Sequence, residues 1–330
     1  MSDALAQLLG VDRLTEGARL DVGGRTLVVR DGIPRATAAV SDEQAATAQA
    51  FGFKWTQEGS YASPAYLEKT RRWMVERYGE PTEWDWLEDG ALLLDAGCGA
   101  GVAGLELFAG VLERIRYVGV DLTEAVDVAA RRFAERGLPG SFLQADLLDL
   151  PLPDGSVDVV FSEGVLHHTD STSAAVAALA RVLRSGGRFL FYVYRRKSPI
   201  REFTDDAIRE RLQAMTPEEG WRALEPLTKL GIALGEMGVE VDVPEDVELL
   251  GVPAGPIDLQ RLFYWHVFKA FYAPEMSFEE MHHINYDWYA PRNAWRHTEE
   301  EVRGFCAAAG LEVEDVHVHL AGLTVRARKP

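Results

Sequence analysis

Cysteine is nearly absent: Cys98 and Cys306 are the only two in 330 residues. Two cannot build a disulfide framework, so a cytoplasmic compartment is the expectation. No apolar run approaches the ~18 residues needed to cross a bilayer. Met1 to Gly10 also lacks the basic start and long apolar stretch of a secretory signal. Cations are scarce too, with 34 Lys and Arg against 52 Asp and Glu for a net charge of −18. Phosphate-rich partners require clustered Lys and Arg, so no nucleic acid and no membrane surface is expected as a partner. Apolar residues are plentiful, at 47% of the chain with 10% aromatic. That supports a substantial core, and the length suits one large domain with an elaboration, or two small ones.

The organising stretch runs from Leu92 to Gly104. Leu92, Leu93 and Leu94 form an unbroken apolar run, as in a parallel strand buried on both faces. Asp95 ends it, and Gly97, Gly99 and Gly101 follow at alternate positions, where a missing Cβ lets the backbone turn sharply and approach a ligand. From Val102 the pattern is helical, with Leu105, Phe108 and Leu112 on one face. Strand, glycine turn and helix open a nucleotide-binding βαβ unit. Gly99, Gly101 and Gly104 also satisfy the dinucleotide pattern G-x-G-x-x-G. Asp95 argues against a pyrophosphate, whose site should offer N–H groups and positive potential, and suits a ligand carrying an ammonium and a sulfonium.

The frame Asp95-x-Gly97-x-Gly99-x-Gly101 resembles the first motif of the class I S-adenosylmethionine-dependent methyltransferases. Two further segments extend the resemblance. Tyr117 to Val120 reads as a second buried strand ending in Asp121, where such folds bind ribose hydroxyls. The run Ala145-Asp146-Leu147-Leu148-Asp149-Leu150-Pro151-Leu152-Pro153-Asp154 resembles the family's adenine-holding segment. The resemblance implies S-adenosylmethionine as cofactor, with S-adenosylhomocysteine as product. It also implies a cofactor set of Asp95, Gly97, Gly99, Gly101, Asp121, Leu122, Asp146, Leu147 and Glu163. The activity implied is methyl transfer to a small-molecule acceptor with an O-, N-, S- or C-nucleophile; the alternative is a SAM-binding partner protein without catalysis.

The expected fold is α/β, a doubly wound, seven-stranded, mostly parallel sheet with an antiparallel last strand. Residues 91–194 and 297–330 would form this Rossmann-like domain. Strand four, Val157 to Phe161, leads into Ser162 to Thr169, which resembles the family's substrate-facing loop; His167 and His168 are the candidate bases there. Residues 1–40 form a small N-terminal β module whose hairpin turns at Gly23-Gly24. Its exit, Arg30 to Arg35, resembles a zinc-ribbon-like module without the metal-binding cysteines. Residues 41–90 supply a helical lid segment in which Phe53, Trp55 and Tyr61 would fold over the cofactor, since aromatic faces tolerate a sulfonium.

About a hundred residues, 195–296, are inserted between the fifth strand and the last helix. They read as a helical cap over the site, with helices at Ile208 to Met215, Trp221 to Leu234 and Leu259 to Tyr272. Residues 282–292 read as a polar-aromatic loop. Tyr194, Tyr286, Trp288, Tyr289 and Arg292 are the candidate acceptor contacts; the same aromatics could instead form a homodimer interface. His282, His283 and Asp287 are not expected to bind a metal, because adjacent histidines rarely converge on one ion.

Overall fold

A computed structural model describes residues 4–36 and 40–330. Its strands are β1 (Arg19–Val22), β2 (Arg25–Arg30), β3 (Ile33–Ala36), β4 (Leu92–Ala96), β5 (Arg116–Asp121), β6 (Ser141–Gln144), β7 (Val157–Glu163), β8 (Leu183–Tyr194), β9 (Glu240–Val243), β10 (Gly255–Asp258), β11 (Glu312–Val318) and β12 (Gly322–Arg328). All but β9 and β10 belong to one sheet in the order β1-β2-β3-β6-β5-β4-β7-β8-β12-β11.

Strand β4 lies at the middle of this sheet, parallel to both β5 and β7. Its leucines divide by pleat. Leu92 and Leu94 enter the core on one face, and Leu93 enters the core on the other. Helices α3 (Pro64–Tyr78), α4 (Val102–Glu106) and α5 (Ala125–Glu135) cover the Leu93 face with Met74, Leu105 and Phe133. The opposite face is covered by α1 (Ala4–Leu8), α6 (Thr172–Val182) and α11 (Glu299–Ala308) through Leu5, Leu179 and Val302. Helix α4 stops at Glu106 instead of running on to Leu112, although Phe108 and Leu112 remain buried on the same face. Beyond β8 the chain reverses, and β12 pairs antiparallel with it.

The sheet has ten strands where seven were expected. The extra three come from the N-terminal segment. Gly23 and Gly24 both take positive φ, closing a two-residue turn between Val22 and Arg25. A second tight turn at Asp31-Gly32 sends β3 alongside β6 in parallel, so what read as a small separate module is the sheet's edge. Arg35 fastens it there, donating to Gln144 Oε1 at 2.8 Å and to both carboxylate oxygens of Asp127 on α5.

Residues 195–296 leave and re-enter the fold at one point. Arg195 bridges His297, and the His297 N–H donates to the Tyr194 carbonyl at 2.9 Å. Between these ends lie α7 (Pro199–Leu212), α8 (Pro217–Glu236), α9 (Leu259–His266) and α10 (Phe278–Tyr289), with β9 and β10 as a small antiparallel pair. The stretch read as a loop at 282–292 is mostly helix. Ser277 and Glu280 form a reciprocal capping box that starts α10. Helix α9 stops at His266, short of the expected Tyr272. The Ala-rich stretch after residue 40 is α2 (Asp42–Thr56), capped by Ser41. Among the described residues, no helix is long and apolar enough to cross a membrane.

Arg35→Ala removes charge-assisted hydrogen bonds to Asp127 and Gln144. It is expected to lower unfolding free energy by ~2 kcal/mol, measured by urea denaturation. An unchanged midpoint would show that β3 holds to β6 without this contact.

Candidate cofactor and acceptor site

At the C-terminal ends of the parallel strands lies a cavity of about 570 Å³. On the sheet side four of its acids come from the ends of β4, β5 and β7 and from just past β6: Asp95, Asp121, Glu163 and Asp146. Among the described residues from 95 to 163 that line it, none is Lys or Arg. Such a wall favours a cation and disfavours a phosphate.

The glycine turn is held from below. The N–H groups of Gly97 and Cys98 both donate to the Val120 carbonyl, at 2.7 and 3.0 Å. Gly99 has φ +51°, and a Cβ there would meet the Trp55 ring at 2.8 Å. Its N–H donates to Asp121 Oδ2 at 2.9 Å, while Asp121 Oδ1 accepts from the Thr123 N–H and hydroxyl. Burial raises the Asp121 pKa, and those hydrogen bonds oppose the rise. Asp146 accepts from the Leu148 N–H at 2.9 Å, and burial raises its pKa also. Asp95 is 1% exposed and accepts from the Tyr117 hydroxyl at 2.6 Å. Burial pushes its carboxyl up to about 7 against that hydrogen bond, with Asp121 and Glu163 adding to the rise. Glu163 is bound by the buried Arg77 guanidinium and by the Tyr78 hydroxyl at 2.7 Å.

The facing wall comes from α2 and from residues 195–296. Lys54 is 4% exposed, its Nζ 2.5 Å from Asp287 Oδ1 and 4.0 Å from the Trp55 ring centroid. Burial works against the Asp287 charge, but Lys54, Lys269 and His168 outweigh it and hold its carboxyl low. The Tyr194 hydroxyl donates to Asp287 Oδ2 at 3.3 Å. His168 places Nδ1 2.6 Å from the Asn293 carbonyl, which assigns the proton to Nδ1 and leaves the Nε2 lone pair without a protein partner. Burial lowers its pKa to about 4.

Most of the sequence-predicted residues meet here. Asp95, Gly97, Gly99, Asp121, Leu122, Asp146, Leu147, Glu163, Trp55, His168, Tyr194 and Trp288 all line the cavity. The others do not. Gly101 lies against Ala129 and Phe133 of α5, where it lets the turn pack closely. His167 is wholly buried, its ring centroid 3.7 Å from that of Tyr194, so it backs the wall instead of forming it. Phe53 and Tyr286 pack with Trp221 in the helical region's own core. Tyr61 lies behind Trp55, donating to its carbonyl. Tyr289 donates to Asp205, and Arg292 donates to the Gln213 carbonyl. Tyr286 and Tyr289 fall outside because the spacing of α10 turns them inward. The paired histidines are also occupied: His282 meets Thr228 and the Trp221 carbonyl, and His283 meets Ser60.

Lys54, Lys269 and Arg77 were not anticipated as site residues. Each is a cation buried by contacts distant in sequence, and local sequence carries no signal for that. Asp287 was expected only as part of the 282–292 substrate-side stretch and as a metal ligand to set aside.

An acid-lined glycine turn at the carboxyl edge of a doubly wound sheet defines a site for a cationic nucleoside ligand. Residues 94–191 match the family model described as a methyltransferase domain. The chain is 40% identical over 100 residues to an uncharacterized methyltransferase, YcgJ, of Bacillus subtilis, covering 30% of this chain and 38% of that one. It is 31% identical over 164 residues to the S-adenosyl-L-methionine-dependent Diels-Alderase iccD of Talaromyces variabilis, covering 48% and 54%. The chain thus spans roughly a third to a half of the length of these relatives. A solved magnesium protoporphyrin IX methyltransferase of Synechocystis with bound SAH aligns at a TM-score of 0.46 and 14% identity, over 88% of this chain and 100% of that one. Residues 94–191 thus resemble a methyltransferase domain, and the relatives agree with S-adenosylmethionine as the cofactor.

Asp95 generates a prediction about pH. Its folded pKa of about 7 stands above an unfolded value of ~3.9. The folded state therefore holds more protons between these values, and stability contributed at this site falls as pH rises from ~4 to 7. Asp95→Asn is expected to stabilise the cofactor-free protein at pH 8 by ~2–4 kcal/mol and to change little at pH 4. Urea unfolding at both pH values checks this; no gain at pH 8 would mean the carboxylate is not strained by burial.

Proposed function

We propose that this protein transfers a methyl group from S-adenosylmethionine to a small-molecule acceptor held beneath residues 195–296. The observation that carries the reading is the two-sided cavity, with the glycine turn and four acids on one side and the inserted helices on the other. When bound, the cofactor supplies an electrophilic methyl group on a sulfonium. Asp95 and the turn face its amino-acid end. Asp121 and Leu122 face the ribose, and Asp146 with Leu147 the adenine. Each of those acids keeps lone pairs beyond the internal hydrogen bonds it accepts. Trp55, lying across Gly99, would exclude water from above. The chain's main task is alignment, because a thioether leaves without help from an acid, and the reacting atoms must be held at about 3–3.5 Å.

On the acceptor side, His168 and Tyr194 are the residues placed to meet the nucleophile. His168 Nε2 keeps an unshared lone pair but is buried, and a pKa of about 4 makes the ring a weak base. Residues 195–296 act as the cap that selects the acceptor, β1 to β3 as a packing extension of the sheet, and the cytoplasm as the compartment. A second reading rests on the Diels-Alderase relative: the cofactor is bound while the helices template a different reaction.

Turnover with an acceptor library, read by S-adenosylhomocysteine release, tests the proposal. Release favours methyl transfer, and cofactor binding without release in any mixture favours the second reading. Asp121→Ala is expected to weaken cofactor binding about 10- to 150-fold, from ~1.5–3 kcal/mol of lost charge-assisted hydrogen bonding. Calorimetry measures this, with circular dichroism to verify the fold. Unchanged affinity would remove Asp121 from the site.

A further inference from the structure

Resting on the methyltransferase reading, we propose that the acceptor is an apolar or aromatic carboxylic acid whose carboxylate pairs with the Lys269 ammonium. Lys269 lines the cavity at 7% exposure. Its Nζ lies 4.8 Å from the Trp288 ring centroid, and it makes no hydrogen bond or ion pair with any described residue. The other buried or half-buried cations of this wall are engaged. Lys54 pairs with Asp287, Arg201 with Asp205, and Lys197 donates to the Leu320 and Ala321 carbonyls. Arg261 donates to the Tyr272 carbonyl at 3.1 Å. A buried ammonium without a partner is costly, and an anionic ligand group removes that cost.

The surroundings define the rest of the ligand. Tyr264, Trp265, Phe271, Met276, Ile284 and Trp288 line the same part of the chain's wall, offering an apolar or aromatic body a dry seat. Lys54 pairs with Asp287 and Arg201 with Asp205, so the Lys269 ammonium is left to balance one negative charge, which matches a monoanion. The charged groups facing Lys269 are Asp287 on α10 and Arg201, Asp205 and Arg209 on α7. Burial brings the lysine down to about 7, with Asp287 opposing. A carboxylate beside it reverses that shift, so at pH 8 binding should draw a proton from solution.

The test uses calorimetry on the full-length protein saturated with S-adenosylhomocysteine. Four probes are compared: 2-naphthoate, decanoate, 2-naphthylmethanol and 2-naphthyl phosphate. Saturation by S-adenosylhomocysteine is measured first, so its failure would count against the methyltransferase reading and not against this one. At least one acid should bind at least tenfold tighter than the alcohol, and tighter than the phosphate. Lys269→Met should abolish that preference and Lys269→Arg retain part of it. Titrations in buffers of different ionisation enthalpy should show proton uptake on acid binding at pH 8 that fades at pH 6. This readout uses the wild-type protein, so it stands even where a variant does not fold. Absence of acid binding, equal affinity for acid and alcohol, tighter phosphate binding, or persistence of the preference in Lys269→Met would each overturn the assignment.

Discussion

The structure depends on a concentration of like charge at one edge of the sheet. Asp95, Asp121, Asp146 and Glu163 converge there because strands β4 to β7 are parallel and end together. Carboxylates so placed, and so buried, repel one another and lose solvation. Each is therefore given a donor: Tyr117 for Asp95, Gly99 and Thr123 for Asp121, Leu148 for Asp146, and Arg77 with Tyr78 for Glu163. The donors are also what fix the site's shape. The Asp121 carboxylate holds Gly99, and so the turn, in position. The acid wall is thus both a binding surface and a scaffold, and a cationic ligand completes its electrostatics.

The opposite wall answers with cations, and the Lys54–Asp287 pair joins the two halves of that wall. Lys54 comes from α2 before the sheet begins, and Asp287 from α10 within the inserted helices. One ion pair therefore ties the N-terminal segment to the insertion across the cavity mouth. Its Lys54 ammonium also lowers the Asp121 pKa, so it reaches electrostatically into the acid wall. A change in the insertion that moved Asp287 would alter the charge facing the cofactor side.

How much of this was legible in the sequence follows from the range of each interaction. The β4 run, the glycine turn and the Gly23-Gly24 hairpin are local patterns, and they form as their residues dictate. Helix α10 also carries a local signal, the Ser277 and Glu280 capping box, ahead of its polar-aromatic run. With that helix recognised, the spacing of Tyr286 and Tyr289 would have pointed inward to a core. The pairing of β3 with β6 depends on Arg35 meeting residues 92 and 109 positions away. Lys54 and Asp287 are 233 apart. No window of sequence carries such contacts, so the ten-stranded sheet and the cationic wall could be read only from the assembled fold.

A net charge of −18 bears on how an acceptor reaches this cavity. The overall field repels an anion in solution, but ions screen it beyond a Debye length of about 8 Å at physiological salt. The proposed acid would therefore approach with little long-range electrostatic steering. Discrimination must then arise after entry, where aromatic walls exclude water and a single ammonium acts in a medium of low dielectric. The cofactor approaches under the opposite sign, since its sulfonium is drawn toward the acids. Were the methyl group transferred as proposed, loss of that positive charge would weaken the attraction of the acid wall for the product. The same wall that favours the cationic donor therefore favours exchange of the neutral thioether for a fresh molecule. On the proposed methyl transfer, the division of charge across one cavity would favour exchange of the product as well as binding at its two ends.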